Sequence, residues 1–254
     1  MKTITCKAFL ISIFYLYFST IASVVLASDS ALDIMKKVNN RNDGDNITSN
    51  LEMVLINRNG HKRVRKMAQY SKDFGEDVYS IMFFLKPAKI NGTAFLTYDY
   101  AQPGKDDDQW LYLPALKSVK RISSSDKDGA FMGSDFKYGD MIKRELEKYQ
   151  FRIIKQASVR GAKTWVIEAL PINRDVVDEF GYKKSLLFVH QDSYIVVRSI
   201  NWHKEDGIIS LMDMPGLKKI NGIWMTTQII KKTMKGKRVE HQTILNFHDI
   251  KLDK

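Results

Sequence analysis

Residues 51–70 read LEMVLINRNGHKRVRKMAQY. In the first half of this stretch, Leu51, Met53 and Leu55 recur at every second position, which is the period of a β-strand with two different faces. Asn57-Arg58-Asn59-Gly60 supplies the residue types of a tight hairpin turn. His61–Tyr70 then returns as a second strand. The stretch therefore predicts a β-hairpin.

The same pattern continues along most of the chain, with strands starting about ten to twelve residues apart. Short polar turns separate these strands, so successive strands are expected to pair antiparallel. This spacing is typical of an antiparallel barrel or sandwich. The further predicted strands are 77–85, 93–98, 109–113, 118–122, 151–159, 163–170, 182–190, 194–203, 207–212, 222–234 and 238–252.

Two segments depart from the β pattern. In Ser28–Asn40, apolar residues recur with helical spacing, and Asp29 or Ser30 can cap the start, so we predict one short helix. The stretch Ser123–Asp128 is polar and predicts a loop. Phe131–Tyr149 contains good helix formers and is predicted to be helical in part.

The N-terminus predicts export. Lys2 and Lys7 begin an apolar run that ends with small residues at Ala27. This is the pattern of a cleavable secretory signal peptide, and an uncleaved membrane anchor is the alternative. We therefore expect a signal peptide at residues 1–27, a single domain at residues 28–254 and a periplasmic location. The single cysteine, Cys6, lies in the signal, so no disulfide is expected after cleavage.

The chain is basic, with 40 Lys and Arg against 29 Asp and Glu and a net charge of +11. Basic proteins favour anionic partners, and an exported protein is not expected to meet nucleic acid. The basic residues cluster within predicted strands, as at 61–66 and 231–238. Two interpretations stay open: a solvated sheet with protected edges, or transient contact with a membrane surface.

No catalytic or metal-binding pattern stands out. The five histidines (His61, His190, His203, His241 and His248) lack the spacing of metal ligands. Gly133-Ser134-Asp135 lacks the second glycine of a serine-nucleophile elbow. Asp106-Asp107-Asp108 lacks the alternating acids of a calcium loop. We expect a binding protein, not an enzyme, with no metal and no cofactor.

One region resembles a known family. It contains WLYLPA at 110–115, KRI at 120–122 and FMGSDFKYGDM at 131–141. In this order and spacing, these motifs resemble the outer-membrane lipoprotein-sorting family of LolA-like periplasmic carriers. The resemblance is closest to the branch associated with membrane transporters of the resistance-nodulation-division type.

The resemblance implies a mainly β fold, an incomplete antiparallel β-barrel with a few helices covering its open side. Acyl chains would bind between sheet and helices, with the stretch Phe131–Met141 as a movable lid and Lys120 and Arg121 facing an anionic headgroup. On this basis the candidate lipid-binding residues are Met53, Leu55, Phe83, Leu85, Phe95, Trp110, Tyr112, Phe131, Met132, Phe136, Tyr138, Met141, Trp165, Phe188, Trp202 and Trp224.

Two functions remain open at this stage. The first is a monomeric carrier that moves a lipid or lipoprotein from the inner towards the outer membrane, loaded by an inner-membrane transporter. The second is a sensor or accessory subunit of the same fold that binds a protein partner. A carrier should contain or accept lipid, whereas a sensor should not.

Overall fold

The computed structural model describes residues 30–252. The predicted signal peptide at 1–27 lies outside this range. Within it, the α-helices are α1 (Ala31–Asn39) and α2 (Arg174–Phe180), and neither is long and apolar enough to cross a membrane. The strands are β1 (Asn46–Asn57), β2 (Lys62–Phe74), β3 (Asp77–Lys86), β4 (Ala94–Asp99), β5 (Asp108–Leu113), β6 (Ser118–Ile122), β7 (Tyr149–Val159), β8 (Ala162–Pro171), β9 (Tyr182–His190), β10 (Val196–His203), β11 (Ile208–Ile220), β12 (Ile223–Lys235) and β13 (Arg238–Leu252).

All these strands form one antiparallel sheet with the order β6-β5-β4-β3-β2-β1-β13-β12-β11-β10-β9-β8-β7. Because β1 pairs with β13, the start and end of the meander meet in the middle of the sheet. The edge strands β6 and β7 do not pair with each other, so the sheet stays open. The predicted fold class, mainly β with an incomplete barrel, is confirmed.

The sheet has an inner face that carries the core and an outer face that meets solvent. In β1 the predicted alternation is realised, because Leu51, Met53 and Leu55 are buried while Glu52 and Val54 are only partly buried. Burying one such side chain contributes about 1.5–3 kcal/mol. The inner face of β1 to β5 continues this core.

Helix α1 covers part of the inner face of the other half of the sheet. Its N-cap Ser30 accepts a hydrogen bond from the backbone of Asp33, whose side chain accepts one in return. Ile34 and Met35 are buried in a cluster with Ile167, Leu187 and Val189. The predicted helix is therefore present within the described residues, over Ala31–Asn39.

The prediction that residues 131–149 are helical in part is wrong about the type of helix. This region forms only short 3-10 turns, at Phe131–Gly133, Tyr138–Met141 and Leu146–Lys148. Met132 has a left-handed φ of 51°, which interrupts any helix. Tertiary contacts, described below, override the local helix propensity.

Two further differences concern β11 and α2. The sequence predicts a strand that stops at Met212, before Pro215, whereas β11 runs on to Ile220 through a register shift between Asp213 and Gly216. A bulge at that place accommodates a proline without a missing ladder bond. Helix α2 was not predicted, although Asn173 caps its start and Gly181 ends it in a left-handed conformation.

Candidate functional site

The segment 123–148, called the plug from here on, lies across the inner face of the sheet. Its two phenylalanines, Phe131 and Phe136, are buried in the main apolar cluster. The Phe131 ring packs against the rings of Phe95 and Tyr138 with centroids 4.9 and 5.7 Å apart. The plug is thus part of the hydrophobic core and not a surface loop.

A buried aspartate ties the plug to the middle of the sheet. The Asp135 carboxylate accepts hydrogen bonds from the hydroxyl groups of Thr233 on β12 and Thr243 on β13, at 2.5 and 2.7 Å. The Nδ1 atom of His241 lies 2.7 Å from the same carboxylate. The backbone N–H of Asp135 donates to Thr243 Oγ1 at 3.0 Å. This satisfied polar network specifies one position for the turn at Asp135.

A second aspartate joins the plug to the other half of the sheet. The Asp140 carboxylate lies 2.5 Å from the ammonium of Lys231 on β12, whose side chain is 1% exposed. The Tyr182 hydroxyl on β9 donates to Asp140 at 3.2 Å and accepts from Lys231 at 2.9 Å. Burial, and then the adjacent Asp140 charge, raises the pKa of Tyr182 well above its ordinary value. The phenol therefore stays a hydrogen-bond donor to the carboxylate.

The motif at 133–140 is explained by these contacts. Ser134 Oγ donates to the Phe131 carbonyl at 2.7 Å and accepts from the Phe136 N–H at 3.2 Å, which shapes the turn between the two buried rings. At Gly139 a Cβ atom would lie 2.7 Å from Cδ1 of Phe180. Only glycine fits there without displacing the ring. The motif is therefore an anchoring device for the plug.

A cavity of about 370 Å³ lies between the plug and the inner face of the sheet. This volume is within the range of small-ligand pockets, roughly 300–1,000 Å³. Methionine side chains are flexible and adapt to irregular apolar ligands. The apolar lining includes five methionines (Met35, Met82, Met141, Met212 and Met214) together with Leu51, Leu187, Ile229, Leu245 and Phe247.

The cavity also has polar walls. Asp140 reaches it from the anchored part of the plug and Lys231 reaches it from β12, while Ser199 and Asn201 reach it from β10. Lys143 and Arg144 line it from the segment 142–145, which has no regular structure. We call this segment the gate. It is held by a hydrogen bond from the Lys143 N–H to Asp99 at 2.7 Å and one from Asn39 to the Arg144 carbonyl at 2.9 Å.

The candidate lipid-binding residues divide into four groups. Phe136 and Met141 line the cavity. A second group is packed in the adjoining apolar cluster, so that it supports the cavity without lining it: Met53, Leu55, Phe95, Phe131, Met132 and Tyr138. Trp165 packs beside α1, while Phe188 and Trp224 pack against a small cluster around Ile195.

The fourth group lies on the outer face and does not reach the cavity. Phe83, Leu85 and Tyr112 are exposed, and Trp110 packs edge-on against Tyr98 at 5.1 Å. Trp202 lies beneath the ammonium of Lys184. The physical reason is register, because a shift of one residue moves a side chain to the opposite face. In β3 the inward residue is Phe84, which is fully buried, and not Phe83 or Leu85.

The expected headgroup residues also lie elsewhere. Lys120 pairs with Asp126 at 3.2 Å, and Arg121 pairs with Asp108, both at the exposed β5–β6 edge. Neither residue lines the cavity, whereas Lys143 and Arg144 do. This basic pair directly follows the motif in sequence, which was the available signal for it.

A larger polar pocket of about 670 Å³ lies on the other side of the gate. Burial raises the pKa of Asp107 there to about 7. Within residues 30–252, Asp106, Glu145 and Glu179 have oxygen atoms close enough for one metal ion. However, the ammonium of Lys148 already lies 2.8 Å from Glu145 and 2.9 Å from Glu179. This group is an ion-pair network around a lysine.

The chain is similar to several known proteins. A family model, described only as that of an uncharacterized protein, matches residues 76–254. A DUF1329 family protein from Desulfovibrio piger is 27% identical, with 89% of this chain and 94% of that chain covered and a TM-score of 0.78. A putative outer membrane lipoprotein-sorting protein domain from Vibrio parahaemolyticus is 29% identical, with 88% and 92% covered and a TM-score of 0.77.

More distantly, a LolA superfamily protein from Nitrosomonas europaea shares the fold at 20% identity, with 89% and 95% covered and a TM-score of 0.66. No curated protein is significantly similar to the chain in sequence.

Proposed function

The chain belongs to the LolA-like family of outer-membrane lipoprotein-sorting proteins, and from this membership we propose that it carries a lipid or an acylated protein through the periplasm. The cargo would place an acyl chain in the cavity between plug and sheet. An inner-membrane transporter of the resistance-nodulation-division type would load it, and the outer membrane would receive it. The similarity to the Vibrio parahaemolyticus domain, described as a putative outer membrane lipoprotein-sorting protein, supports transport towards the outer membrane.

The observation that carries the proposal is the methionine-rich apolar cavity beneath an anchored plug. Each buried methylene contributes about 0.8 kcal/mol, so about ten methylenes would contribute about 8 kcal/mol. Binding of that strength holds a chain and still allows its release. The flexible methionines can adjust to acyl chains of different length.

The gate is the part of the plug that can admit the chain. Asp135 and Asp140 fix residues 131–140 through buried contacts to β9, β12 and β13. Opening there would leave a buried lysine without its partner, which is strongly destabilising. The gate is held by few hydrogen bonds, each worth about 0.5–1.5 kcal/mol. Acyl chains would therefore enter past 142–145, where Lys143 and Arg144 can contact an anionic headgroup.

The alternative is a sensor or accessory subunit. One observation favours it: Phe131 and Phe136 of the plug already occupy much of the inner face of the sheet. In that case the remaining cavity would stay empty, and the protein would act through a partner bound on its surface.

Native mass spectrometry of the protein, purified without detergent from a lipid-containing host, distinguishes the two. We expect bound phospholipid or acylated material, which solvent extraction identifies. Met212→Lys puts a charge into the cavity and should abolish the bound mass. The matched control Ile172→Lys changes an exposed apolar residue outside the cavity lining and should retain it. A protein that is empty and refuses a fluorescent fatty acid in vitro would favour the accessory subunit.

A further inference from the structure

The outer face of β2 to β6 is unusually apolar for a surface. Within residues 30–252, eight of the twelve exposed large apolar side chains come from residues 64–119. Monomeric soluble proteins rarely expose large contiguous apolar patches, and those that do use them for binding. None of these side chains lines the cavity described above.

Strand register makes this face continuous. Phe83 pairs with Ala94, Ala94 with Tyr112, and Tyr112 with Val119, so one apolar row crosses four strands. In a parallel row, Tyr79 stacks on Tyr98 with centroids 3.9 Å apart, and Tyr98 meets Trp110. We call the outer face of β2 to β6 the aromatic face.

Lysines border the aromatic face. Lys66 and Lys86 occupy directly opposite positions on β2 and β3. Like charges at such positions repel each other and destabilise a sheet. An anionic partner would reduce this repulsion. At the other end of the same strands, Lys72 lies opposite Tyr79.

The outer face of β7 to β11 differs from the aromatic face in its exposed apolar side chains and in its charges. There Arg198 and Arg160 both pair with Asp213 at 2.9 Å. Glu168 on β8 likewise meets Arg152 and Lys184. Several of its charges are paired within the molecule, whereas the aromatic face combines exposed rings with a basic border.

We infer that the aromatic face docks onto a membrane surface of anionic phospholipid. Tyrosine, tryptophan and phenylalanine favour the membrane–water interface. Lysines near an anionic surface contribute about 1 kcal/mol each. A second copy of the chain fits less well, because two molecules with a net charge of +11 repel each other and would oppose their lysine borders. This inference does not depend on the cargo of the cavity.

Flotation of the purified protein with vesicles tests it, with the predicted signal peptide at 1–27 removed because its apolar run would itself bind lipid. Vesicles of equal parts phosphatidylglycerol and phosphatidylcholine should bind the protein, and pure phosphatidylcholine vesicles should not. The double variant Phe83→Ser/Tyr112→Ser should bind at least about tenfold more weakly, and high salt should weaken wild-type binding. The matched control Ile172→Ser/Val239→Ser changes two exposed apolar residues elsewhere and should bind as wild type.

A second readout locates the contact. Brominated phosphatidylglycerol should quench the tryptophan fluorescence of the bound protein. The variant Trp110→Phe should lose this quenching. The variant Trp202→Phe, which changes the outer face of β7 to β11, should keep it. Absence of binding to anionic vesicles would overturn the inference, as would binding that the Phe83/Tyr112 variant leaves unchanged. Dimerisation in sedimentation that this variant abolishes would also overturn it, because the occupant would then be a second copy.

Discussion

The two parts of the plug, residues 131–140 and residues 142–145, differ in how firmly they are held to the sheet. Residues 131–140 bury two phenylalanine rings and Asp135. Asp135 and the partly buried Asp140 bind side chains from β9, β12 and β13. Residues 142–145 have no regular structure and lack a buried charged anchor like Asp135 or Asp140. They are held by hydrogen bonds to Asp99 and Asn39, by Ile142 against the cluster of Phe180 and Tyr182, and by Arg144 over the Tyr149 ring. The recognisable motif therefore marks the fixed part, whereas the proposed entrance for cargo lies just after it. A sequence motif that identifies a family can therefore consist of structural residues, while the segment proposed to act on the ligand lies next to it.

The largest effect should come from Lys231, the buried lysine of β12 that holds the fixed part through Asp140. Lys231→Met leaves Asp140 without its ammonium partner and should lower the free energy of unfolding by about 3–5 kcal/mol, measured by urea denaturation. Lys232→Met removes the neighbouring, partly exposed lysine and is the matched control. Equal losses in both variants would show that the Lys231–Asp140 pair does not anchor the plug.

Protonation of the buried histidine His203 on β10 should have the next largest effect on stability. Burial, and then the charges of Lys137 and Lys231, lowers the pKa of His203 from 6.5 to about 4. Between these values the unfolded chain binds a proton at His203 and the folded chain does not, so the contribution of His203 to stability falls as the pH drops from about 6.5 to 4, by on the order of 3 kcal/mol. Asp107, whose pKa is raised to about 7, contributes in the opposite sense over the same range. Relative to the wild type, His203→Gln should therefore gain stability as the pH falls from about 6.5 to 4, while His248→Gln, at an exposed position, should not. An unchanged slope in His203→Gln would contradict the assignment.

A smaller loss is expected at the glycine that lets the plug approach α2. In Gly139→Ala the new Cβ would meet the ring of Phe180 at 2.7 Å. Overpacking of this kind costs about 1–3 kcal/mol, and thermal unfolding followed by circular dichroism measures it. Phe180→Leu in the same chain should recover part of the loss. No recovery would mean that the strain lies in the backbone and not in this contact.

The gate should give the smallest change in stability and a clear change in ligand kinetics. Asn39→Ala removes the hydrogen bond to the Arg144 carbonyl and should cost about 1 kcal/mol or less. A fluorescent fatty acid should nevertheless dissociate several-fold faster in stopped flow, since the gate opens more often. Asn40→Ala is the control, because the helix uses only the backbone N–H of Asn40. Unchanged dissociation in Asn39→Ala would place the entrance elsewhere.

Strand positions could be predicted from the sequence because alternation and turn residues are local signals. The hairpin of 182–190 and 194–203 needs no information from the rest of the chain. The face of the sheet on which a side chain lies could not always be predicted. Phe83, Phe84 and Leu85 are all apolar, so the pattern does not say which of them is buried, and only the register with β2 makes Phe84 the inward residue.

The contacts of the plug could not be predicted for a different reason. Asp135 and Asp140 find their partners 98 and 91 positions later in the chain. Lys231 lies in a run of basic residues that suggests a solvated strand, yet it is buried because Asp140 and Tyr182 neutralise and solvate it. Good helix formers at 140–146 likewise do not form an α-helix, because these distant contacts hold Tyr138–Met141 in a short 3-10 turn that is followed by extended backbone at Ile142.

Hydrogen exchange with and without a bound fatty acid tests the difference between the two parts of the plug most directly. The account predicts slow exchange at residues 131–140 in both states. It predicts fast exchange at residues 142–145 in the free protein and protection there when the fatty acid binds. Exchange of both segments together as one unit, in either state, would contradict it, because the whole plug would then move as a single lid.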